Sequence, residues 1–230
     1  MGEISDYALS SISLAQRKVE VAAQNLANAA TPAYKRRIAF STLVQSARDG
    51  AQLPQMSLAI DQRIGKIVET GNPVDFALGT QGVFSFRNEN EVAYSRVAQL
   101  AIDGDGRLIN DRGFALQLTN GSDLVVRSKA FKVERDGTVV DRGEVLGKIA
   151  VFGIADEAVD LNSAATTSVT DLIASPSIRQ GALETSNVVT GDEMVVLIEA
   201  MRRAEAGQRI MSVYDELLGR AITSFGENVR

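Results

Sequence analysis

The feature that most restricts the fold of this chain is a regular spacing of apolar residues near the N-terminus. They recur at alternating intervals of four and three residues, at Ala8, Ile12, Ala15, Val19, Ala22, Leu26 and Ala29. This is the spacing of a coiled-coil seam, and it predicts a helix over residues 4–29. Because four of the seven seam residues are alanine, the helix buries little area and needs partners on more than one side.

A second apolar pattern near the C-terminus predicts a helix over residues 192–225. Its stripe consists of Met194, Leu197, Met201, Ala204, Met211, Leu218 and Ile222, and a second flank holds Ile198, Ile210, Val213, Tyr214 and Leu217. Two flanks give an apolar face wider than a dimer seam. The periodicity allows two interpretations: the helices join other chains, or they form a layer on the chain's own core. We expect them to pair antiparallel, because both must return to one side of the intervening domain.

The middle of the chain has a different character, in which short apolar runs alternate with turns. Residues 83–86 and 124–126 predict strands. Turn sequences occur around residues 103–106, 111–113, 120–121, 136–137 and 141–143, and the Asp-Gly and Asn-Gly pairs among them favour tight hairpins. The predicted fold class is therefore α+β, with discontinuous N- and C-terminal coiled-coil helices flanking a small antiparallel β domain. Residues 1–35 with 186–230 would form a helical assembly domain, and residues 36–185 a β domain with linkers, its core at about 70–155.

Composition argues against catalysis. The chain has no Cys and no His, which excludes disulfides, thiolate nucleophiles, Cys/His zinc sites and imidazole-dependent triads. The acidic start of a calcium loop at Asp103 and Asp105 lacks its final Glu, since Phe114 occupies that position. A net charge of −5 does not favour nucleic acid. We predict that the chain is not an enzyme, uses no cofactor or metal, binds no nucleic acid or small-molecule substrate, and is not membrane-embedded. It also has no cleaved signal peptide pattern.

Several motifs in register along the whole chain resemble those of the flagellar rod and hook proteins. The resemblance is carried by residues 24–28 (QNLAN), 31–36 (TPAYKR), 70–78 (TGNPVDFAL), 94–96 (YSR), 103–108, 181–188 (GALETSNV), 193–194 (EM) and 199–202 (EAMR). Ala33 stands where the family usually has glycine, which argues against a positive-φ turn there. The short β domain and the ending at residues 215–222 are most similar to the proximal-rod, F-type members.

The resemblance implies a structural subunit of the flagellar basal-body rod. Such a subunit self-assembles into the tubular drive shaft that transmits torque to the hook. It implies type III export without a cleaved signal peptide, a periplasmic location, and partners that are copies of itself and other inner- and distal-rod subunits. A distal-rod or other axial protein is the nearest alternative, and a soluble binding module is a different class. The predicted assembly interface consists of Ala8, Ile12, Ala15, Val19, Ala22, Asn25, Leu26, Asn28, Met194, Leu197, Met201, Met211, Leu218 and Ile222.

Overall fold

The structure, a computed structural model, describes residues 2–45, 52–89, 91–154 and 169–227. Its elements in chain order are α1 (Gly2–Ala27), β1 (Arg37–Gln45), β2 (Gln52–Ile60), β3 (Ile67–Glu69), β4 (Asp75–Leu78), β5 (Val83–Arg87), β6 (Val92–Ser95), β7 (Ala98–Gln99), β8 (Ala101–Ile102), β9 (Leu108–Ile109), β10 (Ala115–Leu116), β11 (Lys132–Val133), β12 (Thr138–Asp141), β13 (Glu144–Lys148), β14 (Val151–Ile154), β15 (Val169–Leu172), β16 (Ile178–Gln180), β17 (Ala182–Glu184) and α2 (Thr190–Glu227).

The chain divides into two compact units. The helix unit comprises Met1–Ala27, Arg37–Ala59 and Val189–Arg230, and the strand unit comprises Asn28–Arg36 and Ile60–Val188. The helix unit therefore holds α1, α2 and the β1–β2 ribbon, while the remaining strands belong to the strand unit. The α+β class predicted from the sequence is confirmed.

Both predicted helices are present, with bounds that differ by two residues at each end. The helix α1 spans Gly2–Ala27 and α2 spans Thr190–Glu227. Asp192 and Glu193 lie in the first turn of α2. Carboxylates at that end interact favourably with the helix dipole.

Antiparallel pairing builds the sheets of the strand unit. One sheet has the order β15-β14-β5-β10-β9-β8, with β6 on β5, and the smaller sheets are β11-β12-β13, β16-β4-β7 and β17-β3. Consecutive residues of β4 and β5 are buried, on both faces of these strands. The largest fully buried side chains of the core include Phe76, Leu78, Phe84, Phe86, Leu108, Leu116, Leu124, Ile149 and Ile178. Apolar burial of this kind supplies most of the favourable free energy of folding.

One of the two specific strand predictions is confirmed and the other is wrong. Residues 83–86 lie in β5. Residues 124–126 form no strand, since Leu124 donates its N–H to Leu116 O whereas Val126 donates to Gly106 O. The segment thus divides its hydrogen bonds between two neighbours, and its apolar character reflects burial of Leu124 and Val126 rather than a continuous ladder.

The hairpin between β12 and β13 contains a residue in an unfavourable backbone conformation. Arg142 has φ 53°, is exposed, and precedes Gly143 at φ 86°. A side chain in the left-handed region costs roughly 1–2 kcal/mol, and glycine avoids that cost. We expect Arg142→Gly to raise the free energy of unfolding by up to about 1 kcal/mol, measured by urea denaturation. Gly143→Ala is the matched opposite change, because an added Cβ there meets nothing within 4 Å and only the backbone cost remains. A destabilised Arg142→Gly chain would contradict this explanation.

The expectation that alanine disfavours a positive-φ turn at position 33 is wrong. Ala33 has φ 53° and is buried. Its N–H donates to Glu184 O at 2.8 Å. Burial of the methyl group and this hydrogen bond offset the backbone cost, so the turn forms without glycine.

Candidate assembly site

The helices α1 and α2 pack against each other through small residues. Ala15 and Ala22 of α1 are buried, as are Ala200 and Gly207 of α2. The contact is closest at Gly207, where an added Cβ would lie 2.5 Å from Ile12 Cγ1. Gly207 is thus a notch that receives the Ile12 side chain.

Two contacts fix the relative direction of the helices. Ile12 lies against Gly207, whereas Asn25 is bonded to Glu193. Positions that advance along α1 therefore meet positions that recede along α2. The expected antiparallel pairing is confirmed.

The structure places the α1 members of the predicted interface on the side that faces α2. Ala15, Ala22 and Asn25 are buried, and Ile12, Val19 and Leu26 are half-buried. Asn28 is also half-buried but belongs to the strand unit. The side chain of Ala8 lies outside the described residues.

The α2 members of the predicted interface divide into two groups. Leu197, Met211 and Leu218 are half-buried, whereas Met194 and Met201 are each 48% exposed. The side chain of Ile222 lies outside the described residues. The residues most buried along this face of α2 are instead Glu193, Ala200 and Gly207. Sequence reasoning weighted the large apolar side chains, but close helix packing places the small ones inside and leaves large ones outside.

A buried amide joins three segments of the helix unit. Asn25 is fully buried, and its Nδ2 donates to Arg37 O at 2.8 Å and to Glu193 Oε2 at 3.0 Å. Its Oδ1 accepts from Arg37 N at 2.9 Å. One side chain therefore ties the end of α1 to the start of β1 and to the first turn of α2. Such a side chain is costly to remove because its partner Glu193 is also buried.

A buried ionic cluster lies in the strand unit, formed by Lys35, Arg96 and Glu184. Glu184 accepts from Lys35 Nζ and from Arg96 Nε, each at 2.5 Å, and from Gly65 N at 2.8 Å. All three charged side chains are no more than 3% exposed. Arg96 makes three more hydrogen bonds, to the backbone oxygens of Leu78, Thr80 and Gly82. Two cations and one carboxylate are thus held together, and every bond is charge-assisted.

Two further polar side chains organise the strand unit. Asn187 Oδ1 accepts from Arg36 N at 2.7 Å, while its Nδ2 donates to Asp61 O at 2.8 Å. Asp75, which is 3% exposed, accepts from Thr70 Oγ1 at 2.7 Å and from Asn72 Nδ2 at 3.0 Å. These bonds satisfy buried polar groups at loops that cross the unit.

Apart from Asn25, the polar residues just described were not predicted as site residues from the sequence. For Lys35, Arg96, Glu184, Asn187 and Glu193 the available signal was position, because they lie within the motifs at residues 31–36, 94–96, 181–188 and 193–194. A charged or amide residue fixed within a motif, rather than spread over a surface, could have been read as a buried contact.

Burial lowers the pKa of the Lys35 amine, and the Arg96 guanidinium lowers it further, while the hydrogen bond to Glu184 and the charge of Asp61 oppose the shift. Because the folded-state pKa lies below the ordinary value of 10.5, the unfolded chain binds more protons between the two values. The free energy of unfolding should therefore rise with pH in that window.

Lys35→Met removes this titration, so the difference in unfolding free energy between parent and variant should grow in the parent's favour from pH 8 to pH 10. Urea denaturation at several pH values measures it, and the variant itself corrects for the other groups that titrate. A difference that does not change with pH would show that the Lys35 amine is not destabilised by burial.

In the acidic turn at residues 103–106, the carboxylate of Asp103 accepts hydrogen bonds from the turn itself. Asp103 accepts from the backbone N–H groups of Asp105 and Arg107 at 2.9 and 2.8 Å, and from Arg107 Nε at 2.7 Å. The carboxylate of Asp103 therefore stabilises a turn.

Across the described residues, no group of three or more His, Cys, Asp or Glu side chains is arranged to hold a metal. No described helix carries an apolar run of the length needed to cross a bilayer.

Comparison with known proteins shows similarity to one family. Residues 179–224 match the family described as Flagellar basal body rod FlgEFG protein C-terminal. The chain is similar to the flagellar basal-body rod protein FlgG of Agrobacterium fabrum, with 25% identity over 88% of this chain and 91% of that protein. It is also similar to FlgF of Caulobacter vibrioides, with 24% identity over 92% and 93%, and to FlgF of Escherichia coli, with 27% identity over 87% and 89%. These relatives are structural proteins rather than enzymes. The resemblance predicted from the sequence motifs is confirmed: residues 179–224 match the rod-protein family, and most of the chain is similar to flagellar basal-body rod proteins.

Proposed function

We propose that this chain is a structural subunit of the flagellar basal-body rod and assembles through the outer face of its helix unit. The observation that carries the proposal is the set of large apolar side chains that α2 leaves open. Seven of them are 48–60% exposed: Met194, Val195, Ile198, Met201, Ile210, Val213 and Leu217. A surface of this kind on one helix is typical of a protein–protein contact.

The exposed apolar residues form two patches on different sides of α2. At about 100° per residue, Met194, Ile198 and Met201 share one side, whereas Ile210, Val213 and Leu217 share another. The small residues that face α1, Ala200 and Gly207, lie between these directions. Two patches suit contacts with two neighbours, as expected for a subunit inside a tube rather than for a simple dimer.

The remaining features of the proposal come from the family. The helices of adjacent subunits would supercoil as a coiled coil, with the exposed members of the predicted interface, Met194 and Met201, in the contacts between subunits. Partners would be copies of this chain and other rod subunits. We propose a periplasmic location in the basal body, reached by type III export without a cleaved signal, and no catalytic activity or cofactor.

Position along the rod is proposed to be proximal. The matches to FlgF extend over 227 and 228 residues, whereas those to FlgG in Agrobacterium fabrum and Bacillus subtilis extend over 240 and 241, more than the 230 residues of this chain. The alignments of this chain with the F-type proteins therefore contain fewer gaps than its alignments with these two FlgG proteins. The distal rod is the second candidate. Complementation of strains that lack one or the other protein separates them, because only the matching position should be restored.

The assembly proposal predicts separate effects on fold and on polymer. Ile198→Glu places a charge in the first patch at a site 52% exposed in the monomer. The helix content and denaturation midpoint of the monomer should stay unchanged. Rod assembly and motility should fall by at least about tenfold, because an unpaired charge in a buried interface costs about 2 kcal/mol or more.

The matched control is Glu205→Gln, a change at another exposed position of α2. It should leave both assembly and the monomer fold unchanged. An Ile198→Glu chain that assembles rods as well as its parent would overturn the proposal and favour a binding module.

A further inference from the structure

The spacing of the helix pair leaves its register undetermined. Apolar or small residues recur every seven positions on both helices, so moving α2 by seven residues along α1 again faces one apolar stripe with another. Something other than periodicity must choose among these arrangements. Otherwise the chain would adopt several of them.

We propose that Ile12 against Gly207 and Asn25 against Glu193 together lock α1 and α2 in a single register. The two contacts lie thirteen residues apart on α1 and fourteen on α2. At 1.5 Å per residue this is about 20 Å along the helix axis. One contact is steric and the other polar, and both occur in the same arrangement.

A slip of seven residues toward the C-terminus of α2 breaks both contacts. Ile12 would then meet Tyr214 in place of Gly207, where the present fit already leaves no room for a Cβ. Asn25 would face Ala200, so the Glu193 carboxylate would lose the amide that now donates to it at 3.0 Å. Overpacking and a lost charge-assisted hydrogen bond both oppose this arrangement.

A slip in the other direction also breaks both contacts. Ile12 would meet Ala200, whose Cβ would occupy the space that Gly207 leaves empty, and Asn25 would face position 186, before α2 begins at Thr190. The pair would lose two turns of overlap and the bond to Glu193. The steric fit at Gly207 and the hydrogen bond of Asn25 therefore each oppose a slip in either direction.

The lock has a consequence that rests on the proposed function. Since α1 and α2 together carry the outer surface of the helix unit, one register gives every subunit the same pattern of exposed apolar residues. A polymer requires that every subunit present the same surface, because each added subunit must make the same contacts as the subunit added before it. In this view Asn25 and Gly207 are positioning residues for assembly.

Cysteine cross-linking measures the register directly, because the chain has no cysteine of its own. Purified full-length chains would carry Ala15→Cys with Ala204→Cys for the observed register, with Met211→Cys for one slip, or with Leu197→Cys for the other. Oxidation under dilute conditions followed by peptide mass mapping reports which intramolecular pair forms. The parent should form only the first pair.

Ile12→Ala with Asn25→Ala removes both contacts and is the decisive variant. We expect a slipped pair to rise from undetectable to a yield within about tenfold of the observed pair, equivalent to about 1.4 kcal/mol between registers. The matched control is Leu9→Ala with Gln24→Ala, which makes the same kinds of change at exposed positions of α1. It should keep the single register. A double variant that still forms only the Ala15→Cys/Ala204→Cys pair at full yield would overturn the lock.

If the double variant forms no cross-link at all, a second set of variants tests whether the contact between Ile12 and Gly207 fixes the register. Gly207→Ala should lower the yield of the observed pair, and adding Ile12→Ala should restore it, because the added methyl then has room. Gly219→Ala, where a Cβ meets nothing within 4 Å, should have no effect. Equal yields in Gly207→Ala and Gly219→Ala would overturn the lock. A mixed register combined with normal rod assembly would uphold the lock and count against the proposed function.

Discussion

Replacing Glu184 by alanine is expected to destabilise the strand unit by about 3–5 kcal/mol, the largest effect of any single substitution considered for this chain. The reason is the charge balance of the buried cluster. Lys35 and Arg96 are at most 3% exposed, and without Glu184 two cations would remain in the interior without their carboxylate. Many domains have only 5–15 kcal/mol of stability, so this loss should unfold a sizeable fraction of the protein at 37 °C.

Urea denaturation followed by far-ultraviolet circular dichroism measures this effect. Glu144→Ala is the matched control, since Glu144 pairs with Arg127 at 3.6 Å and both side chains are more than two-thirds exposed. Exposed pairs contribute little, so the control should denature like the parent. If Glu184→Ala and Glu144→Ala shift the midpoint equally, the cluster is not a source of stability.

Asn25→Ala is expected to cost about 3 kcal/mol in the helix unit, the second-largest effect. The change removes three hydrogen bonds at a fully buried position, and one of them goes to a carboxylate. A neutral bond contributes about 1 kcal/mol and a bond to a charged group about 1.5–3 kcal/mol. The first turns of α2 should then exchange their amide hydrogens faster, which mass spectrometry of deuterated chains detects.

The neighbouring residue provides the control for Asn25. Gln24 is exposed, and its Oε1 accepts from an Arg37 guanidinium nitrogen at 3.1 Å. Gln24→Ala therefore removes an amide of similar chemistry from the surface of the same helix turn. It should change amide exchange little, and equal acceleration in the two variants would count against a special role of the buried amide.

The helices and the family could be predicted from the sequence because each rests on a signal that repeats. The spacing of Ile12, Val19 and Leu26 fixes both the helical period and the face that turns toward α2. Motifs in register along the chain identify the family even where each motif is short. Such signals can be recognised without knowing which distant residues are in contact.

The parts that could not be predicted depend on contacts between distant segments. Residues 124–126 look like a strand by composition, but their backbone N–H groups donate to two different segments, strand β10 at Leu116 and the turn at Gly106. The inward face of α2 is set by Gly207, which carries no hydrophobic signal. The ionic cluster joins residues from three motifs, and no periodicity within any one of them indicates that they meet.

The spread of that cluster along the chain has a consequence for the order of folding. Lys35 and Glu184 are separated by 149 positions, and Arg96 lies between them. Contacts between such distant residues form late, because the entropy of closing a long loop must be overcome before they are made. A chain that emerges from a ribosome or a pore with its N-terminus first cannot complete the cluster until residue 184 is free. For about the first four-fifths of its passage the cluster therefore stays incomplete, and the emergence of residue 184 decides when it can close.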